Sequence, residues 1–183
     1  GALRQPALRG TPHRPPLGSR LEPLHMNLYL LLKWLHIVSS VLMVGTGLGS
    51  AFYMFFTNRS GNVQAQAVLT KLVVRADWWI TTPTVLIQPA TGLAMAYLAG
   101  WPLSTPWLAW SLALYALAGL CWLPVVWLQL RMRDMAQQAA AEGSPLPAAY
   151  WRCARWWEGL GYPAFVAMAV VFFLMVNKPT LGG

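Results

Sequence analysis

Acidic residues are scarce in this chain: 5 Asp and Glu stand against 13 Lys and Arg, charged residues make up only 10% of the 183 positions, and there are just 3 His and 2 Cys. Each shortage removes a chemistry. Cys121 lies inside a long apolar run and Cys153 in a polar connection, so the two thiols form neither a disulfide framework nor a CxxC metal motif; they read as small apolar side chains. No histidine stands beside a serine suited to nucleophilic attack, no glycine-rich loop could cradle a phosphate, and no pair of carboxylates lies within apolar sequence. Hydrolytic and nucleotide-dependent chemistry therefore falls away. The net charge of +8 would suit nucleic acid, but the basic residues collect in the N-terminal tail and at the ends of apolar runs, where lipid headgroups and topology account for them. Nucleic-acid binding is not expected.

What the chain has in abundance is apolar sequence. Apolar residues make up 57% of it, and long runs at 28–56, 78–99, 107–130 and 156–176 carry tryptophan near their edges. A bilayer core about 30 Å thick needs about 20 such residues at 1.5 Å per residue. The four runs imply an all-α integral membrane four-helix bundle, occupying residues 26–183 and surrounded by membrane lipid. Residues 1–25 differ in kind: Pro and Arg recur without apolar periodicity, and Arg4, Arg9, Arg14 and Arg20 face only Glu22. They are expected to be a disordered tail foreign to the native protein, with Met26 the natural start. The links after the first and third runs carry Arg59, Lys71, Arg75 and Arg131, Arg133, Arg152, Arg155, whereas Gly100 to Thr105 is uncharged, so both basic links are expected in the cytoplasm.

Polar residues inside apolar runs are the natural places to look for function. In the second run Asp77, Thr81, Thr84, Gln88 and Thr91 step by four, three, four and three, which makes one seam facing other helices. Pro83 and Pro89 interrupt the ladder there and free carbonyls for a threonine, a water or a ligand. In the first run Lys33, His36, Ser40 and Gly47 share a face, and Gly45, Gly47 and Gly49 are expected to allow close helix contact. Arg75 and Asp77, and Arg152, Arg155 and Glu158, either pair or act as interfacial anchors. The alanine-rich stretch Met132 to Glu142 is expected to prolong the third helix beyond the membrane, ending at Gly143, Pro145 and Pro147.

His36 has two readings. It lies two residues past Trp34, about 3 Å deeper in the bilayer. Its imidazole either hydrogen-bonds Ser40 or a carbonyl and ties helices together, or supplies an axial nitrogen to a haem iron with Lys33 against a propionate. A single imidazole cannot close a zinc or copper site.

The segments NLYLLLKWLHIVSSVLMVGTGLGSAFYMFFTNRS at 27–60, RADWWITTPTVLIQPATGLAMAYLAG at 75–100 and CWLPVVWLQLRMRDMA at 121–136, with the ending Asn177, Lys178, Pro179, resemble a bacterial family of predicted integral membrane proteins, domain of unknown function 2269. More distantly, the pattern is similar to HemJ-type protoporphyrinogen oxidases and CopD-type copper-resistance domains. The HemJ likeness rests on His36, on Arg75, Thr82 and Pro83, and on Lys178 and Pro179. A later-helix histidine of the HemJ pattern is missing, and Glu158 and Pro163 stand apart where an Asn-Glu-Xaa-Pro step would fall. These likenesses imply a bacterial inner-membrane protein binding haem b or a porphyrin in a redox role. His36 would be the axial metal ligand, Lys33 would face a propionate, and Gln88, Thr91 and Tyr115 would line the same cavity. A homodimer would bring two copies of His36 together. The rival expectation is a structural or transport-associated subunit of a membrane complex in which His36 only ties helices.

Overall fold

The computed structural model describes residues 17–179, with side chains from His25 onward, and every element in it is helical. In chain order these are α1 (Leu17–Arg59), α2 (Val63–Ala76), a π-helical turn (Asp77–Thr81), α3 (Thr82–Leu98), α4 (Pro106–Glu142) and α5 (Ala148–Asn177). Because α2, the π turn and α3 run on without a break, the described residues form four continuous rods. The first rod begins at Leu17, so the irregular tail expected over 1–25 is helical in its last part; residues 1–16 lie outside the described residues.

Local chemistry sets the ends. After α1 the chain turns through Gly61, whose φ of +68° is one that side chains resist, and Asn62 caps α2 by accepting from the Ala65 amide at 3.0 Å. Pro106 opens α4 in the first turn, where a missing N–H costs nothing. Gly143 closes α4 in the left-handed conformation, so the third apolar helix extends past its membrane part to Glu142, as its alanine content implies. The π turn has its cause in Pro83: the ring of a helical proline collides with the carbonyl four residues back, here Trp79, and widening the preceding turn relieves it.

Three rods, His25–Arg59 of α1 and the whole of α4 and α5, are long and apolar enough to cross a membrane. The stretch expected as a further crossing, 78–99, is helical up to Leu98 but divides between the π turn and the 17-residue α3. Only 11% of the most apolar window of α1 is buried within the protein, and Trp79, Leu86, Leu120 and Val176 are all more than two-thirds exposed. Such an outward apolar surface suits lipid and would precipitate in water.

The rods do not pack evenly. α1 lies against α3 and α2, while α4 lies against α5 and α2, so the bundle consists of two pairs bridged by α2. The main packed core gathers where α2, α4 and α5 meet the end of α1, around Met54, Val73, Leu128, Met132, Tyr150 and Trp157. A smaller cluster of Ala96, Trp107 and Leu108 closes the opposite end near the Gly100 turn. Within the larger core the Tyr150 hydroxyl donates to Asn58 Oδ1 at 2.7 Å, linking the start of α5 to the end of α1. Tyr150→Phe strands a buried acceptor, and a loss of about 1–3 kcal/mol in unfolding free energy is expected from denaturation in mixed micelles.

Candidate functional site

The seam read on the second run is real: Asp77, Thr81, Thr84, Gln88 and Thr91 are all buried. Its two halves meet different surroundings. In the half toward Leu98, Gln88 Nε2 donates to the His36 carbonyl and to Ser39 Oγ, both at 2.7 Å, and His36 Nδ1 lies 2.9 Å from Thr91 Oγ1. The Thr91 hydroxyl has one hydrogen, and it is directed at the Ile87 carbonyl at 2.7 Å, so the imidazole is the donor to Thr91. These bonds clamp α1 to α3. Gly92 completes the clamp, because a Cβ there would stand 3.2 Å from His36 Cε1.

Several expectations change here. The serine on the His36 face is Ser39, which is buried, while Ser40 turns back to the Ile37 carbonyl at 2.7 Å. Gly45, Gly47 and Gly49 make no close helix contact, since a Cβ at any of them meets nothing within 4 Å; the tight approach falls at Gly92. Lys33 is exposed. Glu158 pairs with Arg59 at 3.6 Å, and Asp77 Oδ1 accepts from Thr81 at 2.9 Å rather than from Arg75.

In the half toward Asp77 the seam opens onto a cavity of about 400 Å³ between the two helix pairs. Met43, Gly47 and Phe55 line it from α1, Thr81 and Val85 from the π turn and α3, Gly119 and Trp122 from α4, and Gly161 and Tyr162 from α5. Three facing glycines, Gly47, Gly119 and Gly161, leave the space unfilled, for a Cβ at each meets no neighbour. Leu48, Tyr162 and Val166 line the cavity yet are more than half exposed, so it opens sideways toward lipid. Its polar lining consists chiefly of Asp77 and Gln129, with Trp157 and Glu158 beside them.

The expected site residues therefore separate. Tyr115 lines the cavity; His36, Gln88 and Thr91 form the clamp and contribute nothing to its lining; Lys33 stands apart from both. Among the described residues no imidazole lines the cavity; the Nδ1–H of His36 is directed to Thr91, which leaves Nε2 as the unprotonated ring nitrogen, outside the cavity. Sequence reasoning missed Gln129 and Trp157. Gln129 has a signal, a lone amide in the apolar run Trp122 to Leu130; Trp157 has none that separates it from the neighbouring Trp156.

Tyr115 has a second task. Its hydroxyl donates at 2.7 Å to the Val85 carbonyl, the one that Pro89 leaves without a helical partner. Restoring that partner should make the tyrosine dispensable: Tyr115→Phe alone is expected to lose about 1–2 kcal/mol, and far less in a Pro89→Ala background. A double-mutant cycle measured by denaturation checks this coupling.

A family model described as predicted integral membrane protein (DUF2269) matches residues 30–179. No curated protein and no solved structure matches the chain. The chain belongs to the DUF2269 family, and it is an integral membrane protein.

Proposed function

We propose that this DUF2269 protein is a membrane-embedded binding protein, which takes a small, largely apolar molecule from the bilayer into the cavity between its helix pairs. The observation that supports this reading is the cavity itself. Its volume of about 400 Å³ falls in the range of small-molecule sites, about 300–1,000 Å³, and such sites combine apolar walls with a few convergent polar groups. A lateral opening admits a ligand that already resides in lipid. The clamp through His36, Gln88 and Thr91 holds α1 on α3 and so keeps one wall in place. This reading keeps the transport-associated alternative and gives His36 a positioning task.

Haem b or a porphyrin is the narrower occupant suggested by the sequence. The residues facing the cavity do not supply the nitrogen ligand that a haem iron takes from histidine, so the geometry favours an organic ligand held by packing and hydrogen bonds.

The test is to purify the protein in mild detergent from cells supplied with haem precursor, record the visible spectrum, and identify small molecules extracted by organic solvent. A discrete apolar compound is expected at near one per chain, depleted at least tenfold in Gly119→Phe, with no haem band. An extract matching bulk lipid in both proteins contradicts the binding reading, and a haem band that vanishes in His36→Ala reinstates the axial role.

A further inference from the structure

Most buried polar atoms in this bundle have partners, and the exceptions concentrate at one place. Four buried side-chain atoms lack a partner among the described residues: Asn58 Nδ2, Asp77 Oδ2, Gln129 Oε1 and Trp157 Nε1. The last three belong to residues that line the cavity, and these residues are only 6%, 4% and 7% exposed. Unsatisfied groups in a bilayer protein are expensive, and a carboxylate oxygen is the most expensive of them. Asp77 spends Oδ1 on Thr81, which orients the carboxyl and leaves Oδ2 unpartnered.

The character of the missing partner follows from the groups that wait for it. Asp77 Oδ2 and Gln129 Oε1 are acceptors and call for a donor, with one of them on an acidic group, whereas Trp157 Nε1 is a donor; the carboxylate is the costliest of the three to leave alone, so its need decides the partner's character. Glu158 adds a second carboxylate to the wall, held only loosely by an Arg59 side chain that is 53% exposed. Among the described residues no Lys, Arg or His lines the cavity, although the chain as a whole carries a charge of +8. The other walls are apolar and aromatic, with Trp122, Tyr162, Phe55 and Phe165 around the space. Aromatic faces attract cations as well as alkyl chains. The Asp77 and Gln129 pair also lines a second hollow of about 160 Å³, so the pair is reached from two sides.

We infer that the ligand is a lipophilic amine in its protonated form, its ammonium donating to Asp77 Oδ2 and Gln129 Oε1 and its apolar part lying along the glycine-lined cavity toward Tyr115. This rests on the cavity reading above and names the class of its ligand. A neutral alcohol of the same length donates to one acceptor, and its oxygen can accept from Trp157 Nε1, but it does not meet the charge. A quaternary ammonium meets the charge and donates nothing. Charge-assisted hydrogen bonds are about twice as strong as neutral ones, so the primary amine is selected over both.

Full-length protein in nanodiscs of zwitterionic lipid is titrated with octylamine, octanol and octyltrimethylammonium. Saturable heat is measured against empty nanodiscs, alongside the shift in thermal unfolding. Octylamine is expected to bind at least about tenfold more tightly than either match, and Asp77→Asn, which keeps the size and the Thr81 contact, to lose about tenfold or more. Should that variant fail to fold, Gln129→Met keeps the carboxylate and removes one acceptor, with a loss of at least about threefold expected. Equal binding of octylamine and octanol, or octylamine binding unchanged in Asp77→Asn and Gln129→Met, overturns the ammonium site; the cavity reading then survives if Gly119→Phe still abolishes uptake. Octylamine binding that persists in Gly119→Phe overturns the cavity reading as well, as does the absence of saturable binding by all three probes.

Discussion

A polar group placed in hydrocarbon must find its partner inside the protein, since no water is at hand to serve it. In this bundle that demand falls on one line of side chains, the seam Asp77, Thr81, Thr84, Gln88 and Thr91. Thr84 satisfies itself by donating back to the Ile80 and Thr81 carbonyls. Gln88 and Thr91 find partners on α1 and pull it close. Asp77 keeps an oxygen with none, and it does so where α1 and α3 stand apart from α4 and α5. One seam thus does two jobs in order along its length: it ties one helix pair together, then furnishes the polar end of an opening between the pairs.

The opening persists because both ends of the bundle are fixed. Toward the basic links, the core around Met132, Ala136 and Tyr150 is fully buried, and Tyr150 ties α5 to Asn58 of α1. Toward the Gly100 turn, Trp107 packs with Ala96 and Leu108, Trp101 meets it edge-on, and the ammonium of Lys178 lies 5.6 Å from its ring centroid. Between these anchors the waist has glycines where bulk would close it. Interhelical hydrogen bonds in membranes average about 0.6 kcal/mol and reach about 1.7, so the clamp by itself contributes modestly, and the packed ends carry most of the load.

Much of this architecture is readable in the sequence, and what is hidden is hidden for physical reasons. The seam announces itself through spacing, since helical geometry alone places those five residues on one face. The end of α4 is equally plain, because Gly143 suits a left-handed turn that other residues resist. By contrast, the partner of His36 is Thr91, 55 residues away, and nothing local distinguishes that pairing from a bond to Ser40. The glycines at 45, 47 and 49 look like contact surfaces because small residues in membrane helices usually are; here they meet open space, and close approach needs Gly92 facing an imidazole. Asp77 reads both as the first step of the inward seam and as a pairing or anchoring group beside Arg75. The path of the helices decides for the seam and adds what spacing cannot give, its neighbours Gln129 and Trp157 on the cavity wall.

Bulk added at the waist probes this account most directly, because it asks whether the space between the helix pairs exists in a bilayer. Gly47→Leu, Gly119→Leu and Gly161→Leu are compared with the unmodified chain by thermal unfolding in nanodiscs. Filling an open space while replacing a helical glycine leaves stability unchanged or raises it, by up to about 1 kcal/mol for each. A loss of about 1–3 kcal/mol at all three positions, the mark of overpacking, would mean that the helices close on one another there, and the cavity with everything built on it would be contradicted.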